Sequence, residues 1–125
     1  MNTDERVTEF TRAVARLGEA LALSANNPLG VDASIQRFEF TIELAWKCLR
    51  DILLRDHAIE TASPKTTMQQ AFRVCLVDDE TLWLAMLRDR NLSAYTYREA
   101  LAREIFARLP DYLTTLTRLA TTLRA

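Results

Sequence analysis

The sequence predicts an all-α protein: an antiparallel up-and-down helical bundle of about five helices. Three observations lead there. Only two Gly and three Pro punctuate 125 residues. Leu and Ala outweigh Val and Ile, a mixture that favours helix over sheet. Apolar residues recur at alternating three- and four-residue steps along most of the chain, the spacing of one helical face.

The first helix is expected from about Thr3 to Ser24. Val7, Phe10, Val14, Leu17 and Leu21 form its apolar stripe, and Glu5, Glu9, Arg12, Arg16 and Glu19 face outward. The run Asn26-Asn27-Pro28-Leu29-Gly30 is a breaker cluster that should end it. The second helix is expected from about Asp32 to Asp56. Its stripe is Ile35, Phe38, Ile42, Ala45, Leu49 and Ile52, widened by Phe40, Leu44, Trp46 and Leu53. A helix apolar over that much of its circumference belongs at the centre of a bundle. Gln36, Glu39, Glu43, Lys47, Arg50 and Asp51 make its polar face, with Glu43 and Lys47 spaced for an i,i+4 ion pair.

Ser63-Pro64 has the form of an N-cap followed by Pro at the first helical position. The helix it opens should reach about Leu76 and bury Met68, Phe72 and Cys75. The next helix starts in Val77-Asp78-Asp79-Glu80, capped by an Asp, with Leu82, Trp83, Met86 and Leu87 as its apolar side. It should end near Arg90 to Ser93. The last helix begins near Tyr97. Leu101, Ile105, Leu109, Tyr112, Leu116, Leu119 and Leu123 repeat in phase across Pro110, so the Pro should kink this helix rather than break it.

A chain of this length suits one domain, residues 1–125. The net charge of -1 gives no strongly basic footprint, and no helix carries a dense basic face, so DNA binding is not expected. No apolar run reaches the roughly 18 residues of a membrane span. The polar start Met1-Asn2-Thr3-Asp4-Glu5-Arg6 differs from a secretory leader. Cys48 and Cys75 lack any metal or redox spacing and should be buried, reduced thiols. Together these features predict a cytoplasmic protein with no metal and no cofactor. His57, the single imidazole, follows Arg55-Asp56 at a helix end, where a cation suits the dipole.

The segment Arg90-Asn91-Leu92-Ser93-Ala94-Tyr95-Thr96-Tyr97 concentrates a guanidinium, an amide and two phenols. Arg forks onto phosphate oxygens and stays charged. Tyr ionises near pH 10, so Tyr95 is a poor general base at neutral pH. Five helical residues rotate through roughly 500°, which points Arg90 and Tyr95 about 140° apart. They converge only if the helix ends between them or if two chains supply them. The alternative is structural: Arg90 pairs with Glu99 or with an acid of a neighbouring helix, and both phenols are packing.

The run Arg37-Phe38-Glu39-Phe40-Thr41-Ile42-Glu43-Leu44-Ala45-Trp46-Lys47 resembles the second-helix signature of the nucleotidyltransferase substrate-binding protein family. Ser63-Pro64-Lys65, Ala71-Phe72 and Asp89-Arg90-Asn91-Leu92-Ser93, followed by Thr96-Tyr97, continue the likeness in the same order. It extends over roughly Val7 to Leu116. The family lies in the HEPN superfamily, HepT-like members included. The resemblance implies a four-helix core with an extra helix, a homodimer and a separately encoded partner, a minimal nucleotidyltransferase. Related pairs are toxin–antitoxin systems in which the helical protein is an RNase and the transferase silences it by nucleotidylating a motif tyrosine. Carried over, Arg90 matches the family's phosphate-facing arginine, Asn91 matches the polar residue after it, and Tyr97 matches the tyrosine that can accept a nucleotide. Tyr95 stands where many relatives have the catalytic His. The resemblance therefore implies a non-catalytic substrate-binding subunit that contacts nucleotide or RNA through Arg90, Asn91 and Tyr97. The alternative is a ribonuclease toxin with a degenerate motif of Arg90, Asn91 and Tyr95.

Overall fold

The computed structural model describes residues 2–23 and 27–124. Among them lie five α-helices and one short 3-10 turn, and no strand. The helices are α1 (Thr3–Leu23), α2 (Pro28–His57), α3 (Pro64–Arg73), α4 (Glu80–Leu92) and α5 (Glu99–Arg124), with the 3-10 turn at Ser93–Tyr95.

Helix α2 is the axis of the bundle and packs against each of the other four. Polar ties fix its register against α1. Arg6 Nε donates to Asp51 Oδ2 at 2.7 Å, Thr41 Oγ1 to the Ala13 carbonyl at 3.3 Å, and Arg37 Nη1 to the Arg16 carbonyl at 2.8 Å. Residue numbers rise on one helix as they fall on the other, so the pair is antiparallel. Helices α4 and α5 run antiparallel by the same logic: Asp89 meets Arg108 and Tyr112, and Asp78 meets Arg118. The short α3 packs on α2 and α4 and leaves α1, α2, α4 and α5 as the four-helix core.

The predicted stripes form that core. Phe10, Leu17, Phe38, Ile42, Leu49, Met68, Trp83, Met86, Ile105, Leu109, Tyr112 and Leu116 are fully or almost fully buried. Phe38 stacks on Tyr112 at 5.4 Å between ring centres, joining α2 to α5. Such a pair adds about 0.5–1.5 kcal/mol beyond area burial. Pro110 lies inside a helix that continues through it.

Several expectations need correction. The breaker cluster does not separate helices along its whole length. Asn27 is an N-cap whose side chain accepts from the Leu29 amide, Pro28 takes the first helical position, and Gly30 is helical. Asn26, at the start of the cluster, lies outside the described residues, as does Ser24. Helix α3 stops at Arg73, because Cys75 takes a left-handed φ of 65°. Cys75, beyond that stop, is exposed, and Phe72, on the outer side of α3, is 44% exposed, against the prediction that both are buried. Phe40 is likewise 59% exposed rather than part of the core. Helix α5 begins at Glu99 rather than near Tyr97.

Candidate functional site

The segment singled out by composition sits where α4 ends. Ser93 donates its hydroxyl to the Arg90 carbonyl at 2.6 Å, and Thr96 donates to the Ser93 carbonyl at 2.9 Å. These hydroxyls occupy carbonyls that a continuing helix would have used, and the chain tightens into the 3-10 turn. The helix thus terminates at Leu92, between Arg90 and Tyr95. This meets the geometric condition for the two to share one junction, although no hydrogen bond joins them.

Arg90 belongs to the last turn of α4, where its charge suits the helix dipole. Nη1 donates to Glu43 Oε2 at 2.7 Å, and Nη2 donates to Asn91 Oδ1 at 3.1 Å. The other oxygen of Glu43 lies 3.7 Å from Lys47 Nζ. Glu43 therefore carries a cation on each oxygen and holds the guanidinium against α2. The acid that pairs with Arg90 comes from a neighbouring helix; Glu99 faces Arg103 instead, at 3.7 Å. Asn91 is exposed beside Arg90.

Neither phenol is packing. Tyr95 is half-exposed and Tyr97 is 78% exposed. The Arg98 guanidinium lies over the Tyr97 ring, 5.9 Å from its centre. The structure thus brings Arg90 and Asn91 into direct contact and sets Tyr95 and Tyr97 on the turn that follows them. His57 closes α2, exposed, about 20 Å along the helix axis from Glu43.

Residue 89 supplies what sequence reasoning missed. Asp89 is fully buried, and its carboxylate accepts from Arg108 Nε at 2.7 Å, Arg108 Nη2 at 2.8 Å and the Tyr112 hydroxyl at 2.6 Å. Burial, reinforced by the bond to Asp89, pushes the Tyr112 phenol above its ordinary range. The bond to Asp89 likewise raises the Arg108 guanidinium. This cluster fixes the turn of α4 from which Arg90 projects. A buried-looking Tyr112 and the acid before Arg90 were the available signals, but nothing in the spacing paired residues 89 and 112.

Among the described residues no three His, Cys, Asp or Glu side chains gather as a metal site. Asp79 caps α4 through the Leu82 amide at 3.0 Å, and Asp78 pairs with Arg118 at 3.2 Å. Trp46 and Trp83 are buried, and Arg50 lies over the Trp46 ring at 5.3 Å. Among the described residues no helix is long and apolar enough to cross a membrane.

Comparison with known proteins agrees with this architecture. A crystal structure from Thermus thermophilus superposes with a TM-score of 0.88 at 42% identity, over 93% of this chain and 99% of that one. A Haemophilus influenzae structure, described as revealing the fold of a substrate binding domain of a nucleotidyltransferase, superposes with a TM-score of 0.85. At 24% identity over 95% of this chain and 99% of that one, it shows a shared fold. A curated relative from Haemophilus influenzae strain Rd, "Probable ribonuclease HepT", is 32% identical over 88 residues. That match spans 66% of this chain and 60% of the relative's length. Residues 5–125 match the family described as "Nucleotidyltransferase substrate binding protein like". The chain belongs to the nucleotidyltransferase substrate-binding protein family.

Proposed function

We propose that this chain is the non-catalytic, substrate-binding subunit of a two-component minimal nucleotidyltransferase system of toxin–antitoxin type. It acts as a homodimer and docks with a separately encoded transferase. Arg90 and Asn91 hold nucleotide phosphate, and Tyr97 accepts a nucleotidyl group. One observation carries the reading: Arg90 is held at a helix end, two exposed phenols lie on the turn that follows, and the chain's one imidazole lies at the far end of α2. A guanidinium binds phosphate at any working pH. Cleavage of RNA by its own 2′-hydroxyl needs a base poised near neutrality, which a phenol is not.

In the transfer step the Tyr97 oxygen attacks the α-phosphorus of a nucleoside triphosphate. An O–P bond forms, the bond to pyrophosphate breaks, and the phenolic proton passes to a base of the transferase. The exposed Tyr97 side chain can reach a partner's active site without unfolding. Co-expression with the minimal transferase should give co-elution on size exclusion and a nucleotide mass increment that Tyr97→Phe abolishes. No complex at micromolar concentration overturns the reading.

The relative named "Probable ribonuclease HepT" and the retained Arg90 favour a second reading, an RNase toxin. Growth arrest on expression that disappears in Arg90→Ala supports it. Cleavage gained only by Tyr95→His shows that the native site is silent.

A further inference from the structure

A groove of about 690 Å³ runs between α1 and α2, on the flank of α2 away from the core. This is within the size range of small-molecule sites. Its charge is graded. Arg12 and Arg16 of α1 and Arg37 of α2 line one stretch; Glu9 and Glu43 line another. Phe40 stands between the two on α2, 59% exposed. The register of the two helices fixes this order, since Arg37 bonds to the Arg16 carbonyl and Thr41 to that of Ala13.

Two features are not explained by folding. Among the described residues Arg12 and Arg16 have no ion pair or side-chain hydrogen bond, and Arg37 spends one N–H on a carbonyl and meets no acid. Three guanidiniums lining one stretch of a groove repel one another unless an anion joins them. Phe40 presents a largely exposed ring to the same groove. Guanidiniums suit phosphate, and an exposed ring suits a base. Arg37 and Glu43 are separated by about 9 Å along the α2 axis, comparable to the reach of a nucleotide from phosphate to base edge. Glu9, which has no cation partner among the described residues, can only accept hydrogen bonds and so favours a base that bears an amino group.

We propose that this groove is a binding subsite for a free mononucleotide carrying an amino-substituted base. Phosphate sits on Arg12, Arg16 and Arg37, the base stacks on Phe40, and its amino group donates to Glu9. The proposal rests on the reading that this chain handles nucleotides, and adds a site separate from the Arg90 junction. Glu43 belongs to both, so the subsite adjoins the Arg90 junction.

The test is titration calorimetry of the isolated chain with AMP, with UMP as the control base. AMP should bind and UMP should bind at least several-fold more weakly. Phe40→Ala should weaken AMP about tenfold, the loss of one base–aromatic stack. Arg12→Ala combined with Arg16→Ala should remove detectable binding; both side chains are exposed, so circular dichroism should show an unchanged fold. Arg103→Ala, on the exposed surface of α5 outside the groove, should bind AMP as the unaltered chain does. AMP binding indifferent to Phe40 and to Arg12 and Arg16 overturns the proposal. So does a dimer that Phe40→Ala converts to monomer with AMP affinity unchanged, since a second copy then fills the groove. A chain that binds the transferase but no AMP at millimolar concentration loses this subsite and keeps the proposed function; AMP binding without a transferase complex gives the reverse.

Discussion

Arg90 Nη1 donates to Glu43 Oε2 across 2.7 Å and so ties the last turn of α4 to the middle of α2. The pair is 25% and 39% exposed, so solvent screens it. A double-mutant cycle over Arg90→Ala and Glu43→Ala, read by urea unfolding, should give a coupling of about 0.5–1 kcal/mol. A coupling near ~3 kcal/mol, the range of a buried pair, would mean that the junction is far drier than its exposure implies.

Asp89 should matter much more to stability than its neighbour. Asp89→Ala leaves the Tyr112 hydroxyl without its acceptor and frees Arg108, which is 38% exposed and can turn to solvent, so it should cost about 2–4 kcal/mol. Tyr112→Phe removes one hydrogen bond and should cost about 1–2 kcal/mol. Equal losses in the two variants would show that the carboxylate is not the centre of the cluster.

Ala58 caps α2 in the left-handed conformation, at φ 55°, and its amide donates to the Leu53 carbonyl. An L-residue with a Cβ is strained there and glycine is not. Ala58→Gly should raise stability by about 0.5–1 kcal/mol, whereas Ala107→Gly on exposed helical surface should lower it by a similar amount. Thermal unfolding of both variants checks the contrast.

The two thiols should behave oppositely. Cys48 is fully buried, and burial pushes its thiol from 9.0 up to about 12. Native protein at about pH 8 should therefore react with a thiol reagent at exposed Cys75 and spare Cys48. The raised value also has a sign for stability. Folding holds the Cys48 proton that the unfolded chain releases near pH 9, so this contribution is whole below about pH 9 and lost as pH rises toward 12. Tyr112, raised as well, adds to the alkaline loss above about pH 10. The Cys48 part, at most about 4 kcal/mol, should vanish from the pH profile of Cys48→Ala.

Much of the fold could be read from spacing, because a bundle core is built from i, i+3 and i+4 positions and those are local. All six residues of the predicted α2 stripe, Ile35 to Ile52, are buried. Ser63 caps α3 as expected, and of the two aspartates that could cap α4 it is Asp79 that does, since capping depends on a few adjacent atoms. Cys75 was misplaced for a non-local reason: α3 stops early as the chain turns toward α4. Position 58 and position 75 adopt left-handed backbone without glycine, and a residue-type signal for such turns does not exist there.

At the candidate site the split is similar. Sequence alone named Arg90, Asn91, Tyr95 and Tyr97 and ended a helix near them, because a concentration of polar groups and a break in apolar period are properties of a short segment. It also carried the ordered motifs that place the chain in its family. Only the tertiary structure decided that Glu43 holds Arg90, that Asp89 anchors on Arg108 and Tyr112, and that Phe40 and three arginines face one groove. Those partners are tens of residues apart, and which surfaces of two helices meet is set by how the whole core packs, a quantity no local window contains.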